Sequence, residues 1–192
     1  MKHLLIVGAG GHGRAVAEAV IAAESHIVIG FIDDAYPELR SVLGFPVLGT
    51  TAELVRHRSA AEHVIVAIGN NTVRRRLTAY VRELEFVLES AFHPRATISP
   101  SASIGSGSAV MAGAIVGPEA VIGEGVIVNC GAVVDHHCRV EAFGHLGVNA
   151  AMAGGTVLGV GAWMQAGSAL GYGAVIDAGR VVGVGVGVNA GR

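Results

Sequence analysis

The sequence predicts an α/β unit over residues 1–90, followed by a left-handed parallel β-helix, a hexapeptide-repeat solenoid, over residues 91–192. Three observations carry this reading. In the first half, apolar runs alternate with helical stripes. From Ile98 onward an aliphatic residue or Met recurs every six positions without a break. The 29 glycines far exceed an average usage of about 7% and lie mostly after residue 100.

In the first half, residues 4–7 form an unbroken apolar run, as a parallel strand covered on both faces requires. It leads into Gly8-Ala9-Gly10-Gly11-His12-Gly13, which fits G-x-G-x-x-G. Residues 15–23 read as a helix with Val16, Val20 and Ala23 on one face. A second strand, 27–32, ends at Asp33-Asp34, and a third, 64–68, ends at Gly69-Asn70-Asn71. The helix after it carries Val73, Leu77, Val81 and Leu84 on one stripe. Such βαβ alternation predicts a Rossmann-like sheet with its binding edge at the strand C-termini. Glycines there let a ligand approach the backbone, the helix N-terminus favours phosphate, and an acidic residue after the second strand accepts hydrogen bonds from hydroxyls. The unit is small for a dehydrogenase, and no partner domain for hydride transfer follows. It is therefore read as a nucleotide or nucleotide-sugar pocket, with His12 inside the loop.

In the second half the series Ile98, Ile104, Val110, Val116, Ile122, Val128 continues in steps of six to Val188. Four residues after each, the side chain is usually small, as at Ala102, Ala114, Ala132, Cys138 and Ala162. This is the pattern of a stacked solenoid: each hexapeptide is one side of a triangular coil, and residues eighteen apart stack. Val126, Gly144, Arg180, Val186 and Arg192 depart from the small position, and Arg180 predicts distortion or a partner contact near the last coils. A prism leaves flat faces exposed, and closed cyclic symmetry covers them, so a homotrimer is expected.

The bulk properties exclude other classes. Hydrophobic residues make up 52% of the chain and charged ones 15%, which rules out disorder. A net charge of −2, with Arg74-Arg75-Arg76 the one basic run, argues against nucleic-acid binding. No apolar stretch approaches the ~20 residues of a membrane span, and residues 4–7 are too few for a signal peptide. Two cysteines without C-x-x-C spacing fit a reduced, cytoplasmic chain.

Chemistry concentrates at Asp135-His136-His137-Cys138, with His145 nine residues after His136. Histidine is the natural base near neutral pH. Nine residues is half a coil, and six extended residues span ~20 Å, so the two imidazoles should not meet within one chain. A site formed between subunits is therefore expected. Gly154 stacks above His136 and leaves a slot for a thin cofactor arm; Tyr172 lies higher in that column, and Trp163 stacks above His145.

On these motifs, together with Phe31-Ile32-Asp33-Asp34, Ala67-Ile68-Gly69-Asn70-Asn71, His93-Pro94 and Gly131-Ala132-Val133-Val134-Asp135-His136, the chain resembles the bacterial sugar O/N-acyltransferases. That group includes the bacillosamine-pathway and perosamine N-acetyltransferases and the sialic acid O-acetyltransferases. The resemblance implies direct acetyl transfer from acetyl-CoA to the amine of a UDP- or GDP-linked 4-amino sugar, with no metal. It implies His136 as general base with His137 beside it in the catalytic pair. It assigns acetyl-CoA contacts to His145, Gly154, Ala166 and Gly183, and nucleotide-sugar contacts to Gly10, Gly11, His12, Asp33, Asp34 and Gly69. O-acetylation of a sialic acid, or a binding protein without catalysis, are the alternative functions. The chain departs from the family in two places. His137 stands where an acidic residue usually follows the base, and the expectation is that Asp135 or Glu141 substitutes or that the base is weaker. The sequence also ends at Asn189-Ala190-Gly191-Arg192 without the common proline-bearing tail, which predicts a weaker grip on the distal end of CoA.

Overall fold

The computed structural model describes residues 1–191. Its elements are, in order, β1 (Lys2–Val7), α1 (Gly11–Ala22), β2 (His26–Ile32), a hairpin of β3 (Ser41–Val42) and β4 (Phe45–Pro46), a 3-10 helix over Thr51–His57, β5 (His63–Val66), α2 (Asn71–Glu83) and β6 (Val87–Leu88). Strands β2-β1-β5-β6 form one parallel sheet in that order. The apolar runs are unbroken because both faces of the sheet are covered. Leu4 and Ile6 pack under Val16, Ala17 and Val20 of α1, while Leu5 and Val7 pack with Leu77 and Val81 of α2. Helix α1 starts at Gly11, four residues before the expected start at Ala15, because the end of the glycine motif is itself the first helical turn. A Cβ on Gly13 would lie 1.9 Å from the Gly8 carbonyl oxygen, so α1 leaves the sheet at a separation only glycine permits.

The solenoid starts at Ala91–Phe92, one hexapeptide before Ile98, and makes about five turns. Its three faces hold six, six and five two-residue strands. Pairing is parallel between residues eighteen apart, as in Ile127 with His145 and His145 with Trp163. The six-step series from Val110 to Val182 points inward and is buried, as are the small residues Ala114, Ala132, Cys138 and Ala162. Each buried aliphatic contributes about 1.5–3 kcal/mol. Arg180 does not distort the coil: Trp163 N–H donates to its carbonyl at 2.8 Å, as the ladder requires. It lies in the last coils, and its side chain escapes to solvent. Arg192 lies outside the described residues.

The two parts share a core. Ala91, Ala109 and Met111 of the first solenoid face pack into the cluster formed by α1 and the sheet. At the opposite end of the sheet from the glycine loop, His63 Nδ1 lies 2.6 Å from Glu89 Oε1, with His26 Nε2 at 3.6 Å and Lys2 Nζ at 4.0 Å. This cluster ties the starts of three strands to the segment entering the solenoid, and the Lys2 ammonium disfavours a second cation there. No described helix is long and apolar enough to cross a membrane.

Candidate active site

At the C-terminal edge of the sheet, Gly8, Gly10, Gly11, His12, Asp33 and Gly69 line a depression of about 230 Å³. The glycines there divide by cause. Gly8 and Gly13 are forced by close backbone approach, whereas a Cβ on Gly10, Gly11 or Gly69 would meet nothing within 4 Å. Bare backbone at those three positions faces open space. Gly10 caps α1 without a side-chain bond, and the first turn holds no acidic residue. The positive helix end is thus left for an anion.

Asp33 and Asp34 have structural duties as well. Asp33 Oδ2 accepts from the Ala9 N–H of the glycine loop at 2.7 Å, and its Oδ1 accepts from Ala35 N–H at 2.9 Å. Asp34 Oδ1 accepts from the Thr51 N–H and hydroxyl at 2.8 and 2.7 Å. The two carboxylates hold the rim of the adjoining depression of about 120 Å³, keeping spare lone pairs for a ligand.

Gly69 joins this edge to a third cleft of about 410 Å³, between the start of α2 and the solenoid, where Asn70, Asn71, Thr72, His145, Gly161 and Trp163 meet. His145 is only 7% exposed, and its buried Nδ1 has no hydrogen-bond partner among the described residues. Trp163 stacks on it with centroids 5.4 Å apart and planes 18° from parallel.

Arg74 organises this seam. It is buried, and its guanidinium makes five hydrogen bonds: Nε to Gly125 O at 2.7 Å, Nη1 to Ile68 O and Gly69 O at 2.9 and 3.1 Å, Nη2 to Asn71 Oδ1 and Phe143 O at 2.8 and 2.9 Å. Asn71 Nδ2 also donates to Gly161 O at 2.9 Å. One residue of α2 therefore fixes both the Gly69 loop and a solenoid corner. Burial lowers the Arg74 pKa to about 10. Burial, and then the Arg74 charge, hold His12 down at about 4. The same two causes, with a further contribution from His12, hold His145 down at about 3. Both imidazoles are neutral at pH 7, and the buried Arg74 cation lies behind the cleft wall with its donors committed to protein acceptors.

His136 and His137 occupy the corner between the second and third solenoid faces, whereas His145 lies on the first face. The triangle separates them, and no hydrogen bond joins them among the described residues. His136 Nδ1 lies 2.9 Å from His137 Nδ1, and His137 Nε2 lies 3.0 Å from Glu119 Oε2. Gly154 sits directly over the ring: a Cβ there would fall 2.5 Å from His136 Nε2. Of the two carboxylates expected to replace the missing acid, Asp135 accepts the His136 backbone N–H and stays 3.8 Å from Nε2, while Glu141 pairs with Arg139 at 3.7 Å. Neither reaches Nδ1; His137 does, backed by Glu119.

The remaining expected residues fall at other places. Ala166 lies at the corner between the first and second faces, where its carbonyl accepts from Gly185 N–H at 2.9 Å, with Gly183 close by in the same corner. Gly154 is at a different corner of the same chain. The second face separates it from Ala166 and Gly183. Sequence reading passed over Arg74, seen merely as part of a basic run, and Glu119. The second was accessible, since Glu119 is eighteen residues before His137 and so stacks beneath it.

The chain is similar to proteins of known structure. Residues 3–81 match the family model of the PglD N-terminal domain. The acetyltransferase domain of PglB from Neisseria gonorrhoeae, solved with acetyl coenzyme A, is 39% identical with a TM-score of 0.90, over 98% of this chain and 93% of that one. PerB from Caulobacter crescentus, solved with CoA and GDP-perosamine, is 36% identical with a TM-score of 0.85, over 97% and 91%. WeeI from Acinetobacter baumannii shares the fold at 22% identity and a TM-score of 0.65, over 100% and 95%. No curated relative matches by sequence.

Proposed function

The chain belongs to the bacterial sugar acetyltransferases, and from that premise we propose that it transfers acetyl from acetyl-CoA to the amine of a nucleotide-linked 4-amino sugar, UDP- or GDP-linked, with His136 as general base. The observation that carries this is the His136 ring, tethered at Nδ1 by His137 and roofed by a residue with no side chain, which leaves Nε2 open at a corner. The PerB and PglB complexes support the two ligands.

In this reading Gly10, Gly11 and Gly69 offer backbone to the nucleotide sugar, the N-terminus of α1 binds its diphosphate, and His12 lines the pocket beside Asp33 and Asp34. Gly154, Ala166 and Gly183 flank the acetyl-CoA arm, with neutral His145 as a hydrogen-bond partner through its free Nδ1. His136 and His145 come from different subunits of a homotrimer, since one chain holds them on separate sides of the prism. Nε2 of His136 takes the proton of the amine as its nitrogen bonds to the acetyl carbon and the C–S bond breaks. His136 then returns that proton to the departing thiolate. Positioning of the two substrates supplies much of the acceleration, and the base a further factor of about 10²–10⁴. Two unpaired cysteines suit a cytoplasmic enzyme.

The test is a thiol-release assay with acetyl-CoA and a panel of UDP- and GDP-linked 4-amino sugars. His136→Ala should lose about 10²–10³-fold in kcat with one of them. Unchanged release in that variant would reject the base, and no release with any sugar would reject the activity.

A further inference from the structure

We propose that Glu119 is a positioning residue that acts on His136 through His137, as a carboxylate–imidazole–imidazole relay; the proposal rests on His136 as the base. Its foundation is the stacking of the solenoid. Glu119 and His137 are eighteen residues apart and occupy the same corner in consecutive coils, and His137 N–H donates to Pro118 O at 3.0 Å across the step. Both adopt the left-handed conformation, with φ of 58° and 56°, at a position of the hexapeptide that is glycine in most repeats of the solenoid. A side chain there carries a steric cost that glycine avoids. Two consecutive coils accept that cost, and the result is two side chains projecting in parallel from one corner.

The tautomers follow from the partners. Ionised Glu119 only accepts, so His137 Nε2, 3.0 Å from it, carries the ring proton. Neutral His137 then has a bare Nδ1. His136 Nδ1, 2.9 Å away, must be the donor of that bond, which leaves the His136 lone pair on Nε2. This is the nitrogen beneath Gly154. When Nε2 gains a proton, the His136 cation hydrogen-bonds to an imidazole that is itself anchored on a carboxylate. The groups facing His136 are Asp135 at 3.8 Å on the Nε2 side and His137 on the Nδ1 side, while Gly154 and Gly155 of the coil above bring no charge. All three relay side chains reach the surface of the single chain, so the left-handed corners, not burial, hold the alignment. The acidic residue usual after the base is thus displaced by one coil, with an imidazole spanning the gap.

The test uses Glu119→Gln, His137→Ala and the double variant in the full-length protein, with two readouts. Nitrogen NMR of the His136 ring should show Nδ1 protonated in the wild type and a mixture of tautomers in Glu119→Gln. Kinetically, Glu119→Gln should lower kcat about 10-fold with KM within about twofold, a fraction of what the base itself contributes. The acid limb of its kcat/KM profile should move to lower pH by about half a unit, because loss of the anion destabilises the imidazolium. The double variant should be no worse than His137→Ala. A His136 tautomer and an acid limb both unchanged in Glu119→Gln, or additive losses in the double variant, would overturn the relay. The NMR readout decides it even if every sugar tested proves not to be a substrate, which would count against the activity instead.

Discussion

Replacement of Arg74 by Met keeps an unbranched apolar stem and removes every guanidinium donor. Five acceptors then lose their partner: the carbonyls of Ile68, Gly69, Gly125 and Phe143, and Asn71 Oδ1. Two opposing contributions set the outcome. Burial that lowers the Arg74 pKa from 12.5 to about 10 corresponds to about 3 kcal/mol against the charged form, which the Met variant no longer bears. Against it stand five bonds from a charged donor, worth roughly 1.5–3 kcal/mol each. The bonds prevail, and partial relaxation and entry of water bring the net loss to about 3–5 kcal/mol, typical of removing one partner from a buried charged network. Thermal or urea unfolding measures it, and a chain of this length should lose very roughly 6–20 °C in Tm. Arg74→Lys should recover little, since three donors at one point cannot reach acceptors spread around a planar fork. A loss below about 1 kcal/mol in Arg74→Met, or wild-type stability in Arg74→Lys, would refute the view that this residue fastens the sheet edge to the solenoid.

Stability should also depend on pH through His12 and His145. Their folded pKa values of about 4 and about 3 lie below the ordinary 6.5, so between these values the unfolded chain binds more protons and stability falls as pH falls. At pH 5 each histidine should cost on the order of 2 kcal/mol relative to pH 7, and His145→Phe should flatten the urea-midpoint profile; an equal slope in that variant would contradict the burial assigned to His145. Gly154→Ala should leave Tm within about 2 °C, because Gly154 is not in the left-handed region, yet lower kcat about 10²-fold by driving the His136 ring from its position. Full activity in Gly154→Ala would show that the ring orientation seen here is not the working one.

The solenoid was legible because its physics is local and periodic. A residue such as Leu146 is buried by its neighbours eighteen positions either side, and the sequence displays that interval directly. The start of α1 was less so, since a glycine motif reads equally as loop or as first turn until the Gly8–Gly13 contact is seen. Arg74 was not legible at all. Its five acceptors come from the Ile68-Gly69 loop, the first residue of α2 and one solenoid corner in two consecutive coils, and their convergence depends on how α2 docks rather than on any spacing along the chain. The same holds for His145, whose burial comes from the α2 side of the seam as much as from its own coil.

Glu119 marks the boundary between these two cases. Searching for a replacement acid among near neighbours in sequence leads to Asp135 and Glu141, which are adjacent in the chain and misdirected in space. In a solenoid the neighbour of a corner residue is the residue one coil away, so the search runs at an interval of eighteen and finds Glu119 beneath His137 at once. By the same rule the column continues upward through Gly155 and Gly173, and below Glu119 lies Ser101, whose hydroxyl accepts from Glu119 N–H at 3.1 Å. Titratable groups in that column are thus confined to the coil of the base and the one below it. An acidic residue placed at Gly155 would sit one coil above His137 and should compete with Glu119 for its proton, drawing the imidazole away from His136 in place of supporting it.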